Sequence, residues 1–307
     1  MSVEVVPLPN NAGARILGVD LGKPLSDSDF SAIYDAFLAW TNILIPGQSH
    51  ITPADYEAFC ARFGEIIPGI PATGRQKRYE ASDVRRAGAP KYTLPGHSNI
   101  FVITNEEADG KPTGLAKAGL YWHSDLYYRD VPAKVTFLLA EQVPKQGGTT
   151  CIMNMYAVYD AMSDRLRERL SGLSVWHSWV TGWPYTFPTR ASLSDEEILD
   201  SPDVVHPLVC RHPETSRPTL YVGAFYNVEN PGIEIRGLPR SEARELYEEL
   251  KAFALSPAFV HEHHWQVGDL LATDDIAAMH AATPFDDSGE VRRLLRITVK
   301  GVTPRAA

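Results

Sequence analysis

Tyr121-Trp122-His123-Ser124-Asp125, followed by Gly147-Gly148-Thr149-Thr150, is the stretch from which the rest of the chain can be read. His123 and Asp125 stand two apart, so on extended chain both side chains point to one face. An imidazole and a carboxylate presented together suit a divalent first-row metal and leave coordination positions free. Alone the pair decides little. With 10 histidines and 19 aspartates in 307 residues, chance supplies roughly 0.6 such matches, and a surface hydrogen bond is the plainer reading.

Residues near the C-terminus change that weighing. His280 ends the apolar run Ile276-Ala277-Ala278-Met279-His280, just beyond a strand expected at Asp269–Thr273. Arg292 lies 12 residues on and Arg296 four further. On a strand, positions 292, 294 and 296 share one face, so both guanidiniums can enter one barrel interior. An arginine there is costly unless it meets an anion. Singly, His280 reads as a satisfied core histidine and each arginine as a solvated edge charge. The five residues together point to a metal held beside an anion.

The surrounding pattern is mainly β. Strands are expected at Asn42–Ile45, Ile100–Thr104, Ala133–Ala140, Thr149–Asn154, Val204–Cys210, Thr219–Gly223, Phe259–Trp265, Asp269–Thr273 and Leu294–Val299. Helical spacing begins at Ser26, with Phe30, Ile33, Phe37 and Leu38 on one face. Thr52-Pro53 caps a second helix carrying Tyr56, Phe59, Cys60 and Phe63, which Gly64 stops. Ser163–Gly172 reads as a short helix, Ser194 and Glu197 form a capping box, and Ser241–Leu255 turns Leu246, Tyr247, Leu250 and Phe253 inward. Many short strands with helices gathered elsewhere describe a double-stranded β-helix, a cupin-like jelly roll, flanked by helices. No βαβ rhythm, G-x-G-x-x-G, P-loop, internal repeat or linker divides the chain, so residues 1–307 read as a single domain. Residues 71–98 and 105–119 lack periodicity, and an active-site loop or lid within 71–119 is expected.

The composition is that of a soluble globular protein. A net charge of −9 without a basic stripe argues against nucleic acid, yet a few buried arginines can still act on an anionic substrate. Cys60, Cys151 and Cys210 are odd in number and widely spaced, which suits reduced thiols in a cytoplasm. The N-terminus lacks a signal peptide's pattern and no run is long enough to span a membrane. Oligomeric state is left open, a homo-oligomer included.

At this point the chain resembles a known family. Phe63-Gly64-Glu65, Trp122-His123-Ser124-Asp125, Val143-Pro144 with Gly147-Gly148-Thr149-Thr150, His212-Pro213-Glu214-Thr215, Trp265-Gln266-Val267-Gly268-Asp269-Leu270, and His280 with Arg292 and Arg296 are similar to the TauD/TfdA family of Fe(II)- and 2-oxoglutarate-dependent dioxygenases, relatives of taurine dioxygenase and phenoxyacetate dioxygenase. The resemblance implies that His123, Asp125 and His280 hold Fe(II), leaving three positions for 2-oxoglutarate and O2. It implies that Arg292 grips the far carboxylate of 2-oxoglutarate as a planar fork, with the Thr150 hydroxyl as second donor. Arg296 would meet the anionic group of a small organic acid, and Leu126, Tyr226, Phe225 and Tyr127 match pocket-wall positions, although core packing suits those side chains equally.

The departures narrow this reading. Thr273-Asp274-Asp275-Ile276 stands where relatives commonly have Trp-Asp-Asn-Arg, and Gly119 stands where taurine dioxygenase has a substrate-contacting asparagine. A taurine enzyme is therefore not expected. Asp125 is intact, which argues against a halogenase. The expected reaction is hydroxylation of a small anionic acid with release of succinate and CO2, cleaving a C–O, C–N or C–S bond where the carbon bears a heteroatom. Desaturation or another rearrangement by the same oxidant is the alternative within the class. A non-catalytic metal-containing barrel or a zinc hydrolase are the alternatives outside it. The group His261, His263 and His264 reads as exposed strand histidines, and His177 among Trp176, Trp179 and Trp183 carries no signal of a role.

Overall fold

The computed structural model describes residues 3–68, 92–116, 119–188 and 190–307. Its main sheet runs, in spatial order, Glu4–Pro7, Ala14–Leu17, Asn42–Ile45, Leu270–Asp274, Ala133–Gln142, Arg293–Lys300, His97–Thr104 and Thr93–Leu94, with Ile66–Ile67 also on the Arg293–Lys300 strand. A second sheet orders Ala224–Phe225, Trp122–His123, Ala278–Ala282, Thr150–Asn154 and Val260–His263. Both are antiparallel apart from the Ala14–Leu17/Asn42–Ile45 pair. The chain is thus mainly β with helices flanking the sheets.

Period-two alternation decides what each face of the main sheet meets. Val135, Phe137, Leu139, Leu295, Ile297 and Val299 enter one apolar core with residues of the two N-terminal helices, Asp27–Trp40 and Pro53–Ala61. Phe63 packs edge-on against Phe37, Phe59 and Phe137 there, and each such ring contributes about 1.5–3 kcal/mol on burial. Both helices start where the sequence places them: Ser26 accepts from Asp29 N, and Thr52 forms a capping box with Asp55. The alternate residues Thr136, Leu138, Leu294 and Arg296 line a cavity together with Thr150 and His280 of the second sheet. The site therefore lies between the sheets.

The helix Arg240–Ala254 covers the second core with Ala243, Leu246, Leu250 and Ala254 fully inside, while Tyr247 and Phe253 are half-buried against it. The expected strand Val204–Cys210 is instead two, Val204–Pro207 and Val209–Arg211, in different small sheets. Pro207 has no N–H to continue the ladder, and the intervening Leu208 is buried with its N–H on Leu173 O. Residues 105–119, expected as loop, include a short hairpin, Glu107–Ala108 with Lys111–Pro112. Of the segment expected as a lid, residues 71–91, 117 and 118 lie outside the described residues. No helix among the described residues is long and apolar enough to cross a membrane.

Candidate active site

Strand register brings the first two residues of the site together. His280 pairs with His123 across neighbouring strands, and their rings sit 4.4 Å apart. Asp125, two residues beyond His123, returns a carboxylate oxygen to 3.6 Å from His123 Nε2. One donor atom from each of His123, Asp125 and His280 lies within 4.8 Å of the others, and all three residues are buried. Each imidazole is available as a ligand. His123 Nδ1 lies 2.8 Å from Tyr121 O; a carbonyl only accepts, so that nitrogen carries the proton and Nε2 keeps its lone pair. For His280, burial, the neighbouring His123 and Arg296 together lower the pKa to about 3 despite the opposing charge of Asp125. Two neutral imidazoles and one carboxylate suit a divalent metal.

Burial pushes Asp125 upward, but the Arg296 charge leads the influences that outweigh it and hold the carboxyl well below its usual range. Asp125 Oδ2 accepts from the Thr136 hydroxyl at 2.6 Å and lies 3.5 Å from Arg296 Nε. Its backbone N–H donates to Asp275 Oδ1 at 2.7 Å. The family resemblance turns Arg296 toward a substrate anion, and the nearest acid before it along the chain is Glu290. The structure gives it Asp125, a residue 171 positions away (296 − 125).

Arg292 stands just ahead of the strand Arg293–Lys300 and is 7 % exposed. Its Nε donates to Gly148 O at 2.7 Å, and a terminal nitrogen donates to Thr150 Oγ1 at 3.4 Å. Burial alone lowers its pKa, to about 10, with no carboxylate among the groups acting on it. A desolvated guanidinium with no counter-ion among the described residues is suited to receive an anion. Gly148 makes the approach feasible: its φ of +61° favours glycine, and a Cβ would lie 2.8 Å from Pro144 Cγ and 3.1 Å from Arg292 Cδ. Thr150 Oγ1 also accepts from Trp265 Nε1 at 3.0 Å. Two donors occupy both lone pairs of that hydroxyl, which leaves its own proton to be given to something else.

A larger cavity of about 380 Å³ adjoins the cluster and shares His123, Asp125 and Arg296 with it. Leu126 and Tyr127 line it as expected, whereas Tyr226 and Phe225 are not among its lining residues. Tyr226 sits behind the wall, stacked on Tyr121 and sharing a short hydrogen bond with the Tyr127 hydroxyl. Phe225 is fully buried in the second core beside Tyr247. Aromatic residues of its wall include Phe101, Tyr121, Tyr128, Trp179 and Phe187, with Tyr128 stacked on Trp179 at 3.9 Å between centroids.

The TauD model, described as the taurine catabolism dioxygenase TauD, TfdA family, matches residues 4–298. The chain belongs to the TauD/TfdA family. It is accordingly an oxidoreductase, a dioxygenase dependent on Fe(II), 2-oxoglutarate and O2. Pentalenolactone F synthase of Streptomyces arenae is 32% identical over 97% of this chain and 95% of its own. The (S)-phenoxypropionate/alpha-ketoglutarate-dioxygenase of Sphingobium herbicidovorans is 30% identical over 92% of this chain and 90% of its own. The crystal structure of AAD-2 in complex with Mn(II) and N-oxalylglycine superposes with a TM-score of 0.80 at 27% identity, covering 99% of both chains.

Against its TauD/TfdA relatives, two departures acquire a physical meaning. In Thr273-Asp274-Asp275-Ile276, Asp274 Oδ1 caps the turn through the N–H groups of Ile276 and Ala277, and its other oxygen lies 3.0 Å from His212 Nε2. Asp275 is fully buried and fixes the backbone of Asp125. Gly119 has a φ of +69°, and a Cβ there would lie 2.9 Å from His123 Cε1. A side chain at 119 would press on the His123 ring, so that contact point stays bare.

Sequence reasoning missed Trp265 and Arg190 as site residues, because each reaches the site only through the stacking of distant elements. Of the aromatic run Val175–Trp183, Trp179 lines the cavity. His263 is not an exposed strand histidine: it is buried 3.1 Å from Asp269 and packs on Trp265. His177 lies fully buried beside Tyr127 with neither ring nitrogen hydrogen-bonded, and His206 packs 5.8 Å from it.

These buried rings set a pH dependence. Burial lowers the pKa of His177, His206 and His280 below the ordinary 6.5, that of His280 to about 3. As pH falls through that ordinary value the unfolded chain takes up protons that the folded chain refuses, so stability rises with pH in this window. Asp275, raised by burial and by the Asp125 charge, opposes the trend above 3.8, as one group against these histidines and the similarly lowered His261. The metal-free protein is expected to melt a few degrees lower at pH 5 than at pH 7. A melting temperature that is flat or higher at pH 5 would contradict this account.

Proposed function

We propose that the enzyme hydroxylates a small anionic organic acid on a single-domain jelly-roll scaffold, a cupin-like double-stranded β-helix. The observation that carries this is one cavity lined both by the His123/Asp125/His280 donors and by the uncompensated Arg292 with Thr150. His123, Asp125 and His280 would hold Fe(II). With 2-oxoglutarate and O2, Fe(II) held there would supply the oxidising chemistry, in which one oxygen atom goes to the substrate and the other to succinate with release of CO2.

The protein's own part is binding and orientation. Arg292 is suited to grip the far carboxylate of 2-oxoglutarate, with the Thr150 proton as the second donor. Thr136, Asp275 and Arg296 fix the Asp125 carboxylate and its backbone, so its free oxygen keeps one direction. Arg296 is engaged through Nε, which also donates to Thr298 Oγ1 at 3.2 Å. Its terminal nitrogens donate to none of the described residues and are available to substrate at the cavity floor. Leu126 and Tyr127, with the aromatic wall, would hold a flat apolar body, and the relative from Sphingobium acts on phenoxypropionate, a compound of that kind. Where the hydroxylated carbon bears oxygen, nitrogen or sulfur, the product can collapse with cleavage of that bond. The three free thiols, with Cys60 and Cys210 buried, suit a reducing cytoplasm.

An anaerobic titration with Fe(II) and 2-oxoglutarate, then oxygenation in the presence of small acids, tests the reading. One iron per chain and acid-stimulated succinate release are expected; a zinc hydrolase or a passive barrel would release no succinate. The hydroxyl geometry gives a finer check. Thr150→Val is expected to weaken 2-oxoglutarate roughly 3- to 10-fold. Trp265→Phe should act in the same direction, because a freed lone pair lets the Thr150 hydroxyl accept rather than donate. Unchanged calorimetric affinity in both variants would remove Thr150 from the cosubstrate site.

A further inference from the structure

The cavity beside the His–Asp–His cluster contains two arginines, and their charges are not equally matched. Arg296 has Asp125 at 3.5 Å. Arg190 has its guanidinium over the Phe187 ring, 4.2 Å from the centroid, and lines the same cavity. Among the described residues no carboxylate is within ion-pair distance of it. Burial lowers its pKa, and the groups that act on it are the phenols of Tyr92 and Tyr121, with no carboxylate among them. A half-buried cation without a counter-ion in a ligand cavity is the term that an incoming anion would compensate.

Its placement is built rather than incidental. The helix Trp179–Thr186 ends at Phe187, and the N–H of Arg190 donates to Phe187 O at 3.0 Å, which ties Arg190 to the end of that helix. Trp179, Trp183 and Phe187 pack on one another at 4.7–5.8 Å between centroids. This block carries Arg190 on its end and stacks Trp179 on Tyr128 of the cavity wall. A guanidinium stacked on a ring has its face covered and its edge N–H groups free, the geometry that meets a carboxylate or sulfonate with two parallel hydrogen bonds.

We propose that Arg190 is the specificity-determining anchor for the substrate's anionic group, gripping a carboxylate or sulfonate while the flat body of an organic acid lies along Tyr128, Trp179 and Phe187. The assignment rests on the substrate cavity of the preceding section and names the residue that reads the anion there. Arg296, balanced by Asp125, gains less from a monoanion than Arg190 does. A neutral analogue would leave Arg190 uncompensated, so the site selects against it as well as for the acid.

The test uses the full chain with Mn(II), anaerobically, with and without 2-oxoglutarate. Phenoxyacetate, 4-phenoxybutyrate and their methyl esters are titrated by calorimetry and by tryptophan fluorescence. The wild type is expected to bind at least one acid more tightly than its ester. Arg190→Gln should weaken that acid about 10- to 100-fold while leaving the ester and 2-oxoglutarate unchanged, and Arg190→Lys should recover part of the loss. Equal weakening of acid and ester would mean that Arg190 only packs on Phe187. Unaltered acid affinity, or a wild type that binds neither acid, would also overturn the proposal. Failure of 2-oxoglutarate itself to bind strikes the dioxygenase reading instead, since the acid titrations without it are read independently.

Discussion

Alanine in place of His123, Asp125 or His280 is expected to abolish oxygen-dependent succinate formation and to strip Fe(II) from the protein on gel filtration. Three donors within 4.8 Å are all that the described residues offer in this cluster, so losing one leaves a two-ligand site with little hold on a divalent ion. The aspartate differs from the histidines in one respect. Removing its carboxylate also deprives Arg296 of its counter-charge and Thr136 of its acceptor, so Asp125→Ala should melt lower than either histidine variant. Asp125→Asn, which keeps the shape, separates the two effects. Wild-type iron content and turnover in any one alanine variant would remove that residue from the metal set.

Arg292→Ala should raise the 2-oxoglutarate dissociation constant by roughly two to three orders of magnitude. Truncating one partner of a buried charge pair costs about 3–5 kcal/mol, and each 1.4 kcal/mol is about a decade. Arg293 is the natural control, because it is adjacent in sequence and occupied elsewhere. Its guanidinium reaches Glu141 at 2.6 Å and Glu106 at 3.0 Å. Arg293→Ala should leave cosubstrate affinity unchanged. If Arg292→Ala binds 2-oxoglutarate normally, the anion is held by another cation and the assignment of Arg292 fails.

The sequence by itself determined those features whose physics is local. Ser26, Thr52 and Ser194 start helices because a cap needs only the backbone N–H three residues on. The shared face of Arg292, Leu294 and Arg296 follows from the two-residue period of a strand, and the structure lines one cavity with all three. The donor set His123, Asp125 and His280 was legible because few residue types ligate metals and their spacing matched a family pattern. Tertiary structure decided everything that depends on how two sheets and their helices stack. Arg296 meets Asp125, Trp265 orients Thr150, Asp275 fixes the backbone of Asp125, and Phe225 turns into the core while Trp179, Phe187 and Arg190 line the cavity. Periodicity gives the face on which a side chain lies. Which residue a hundred or more positions away it touches depends on long-range packing, where the cost of burying a charge or hydroxyl selects the partner.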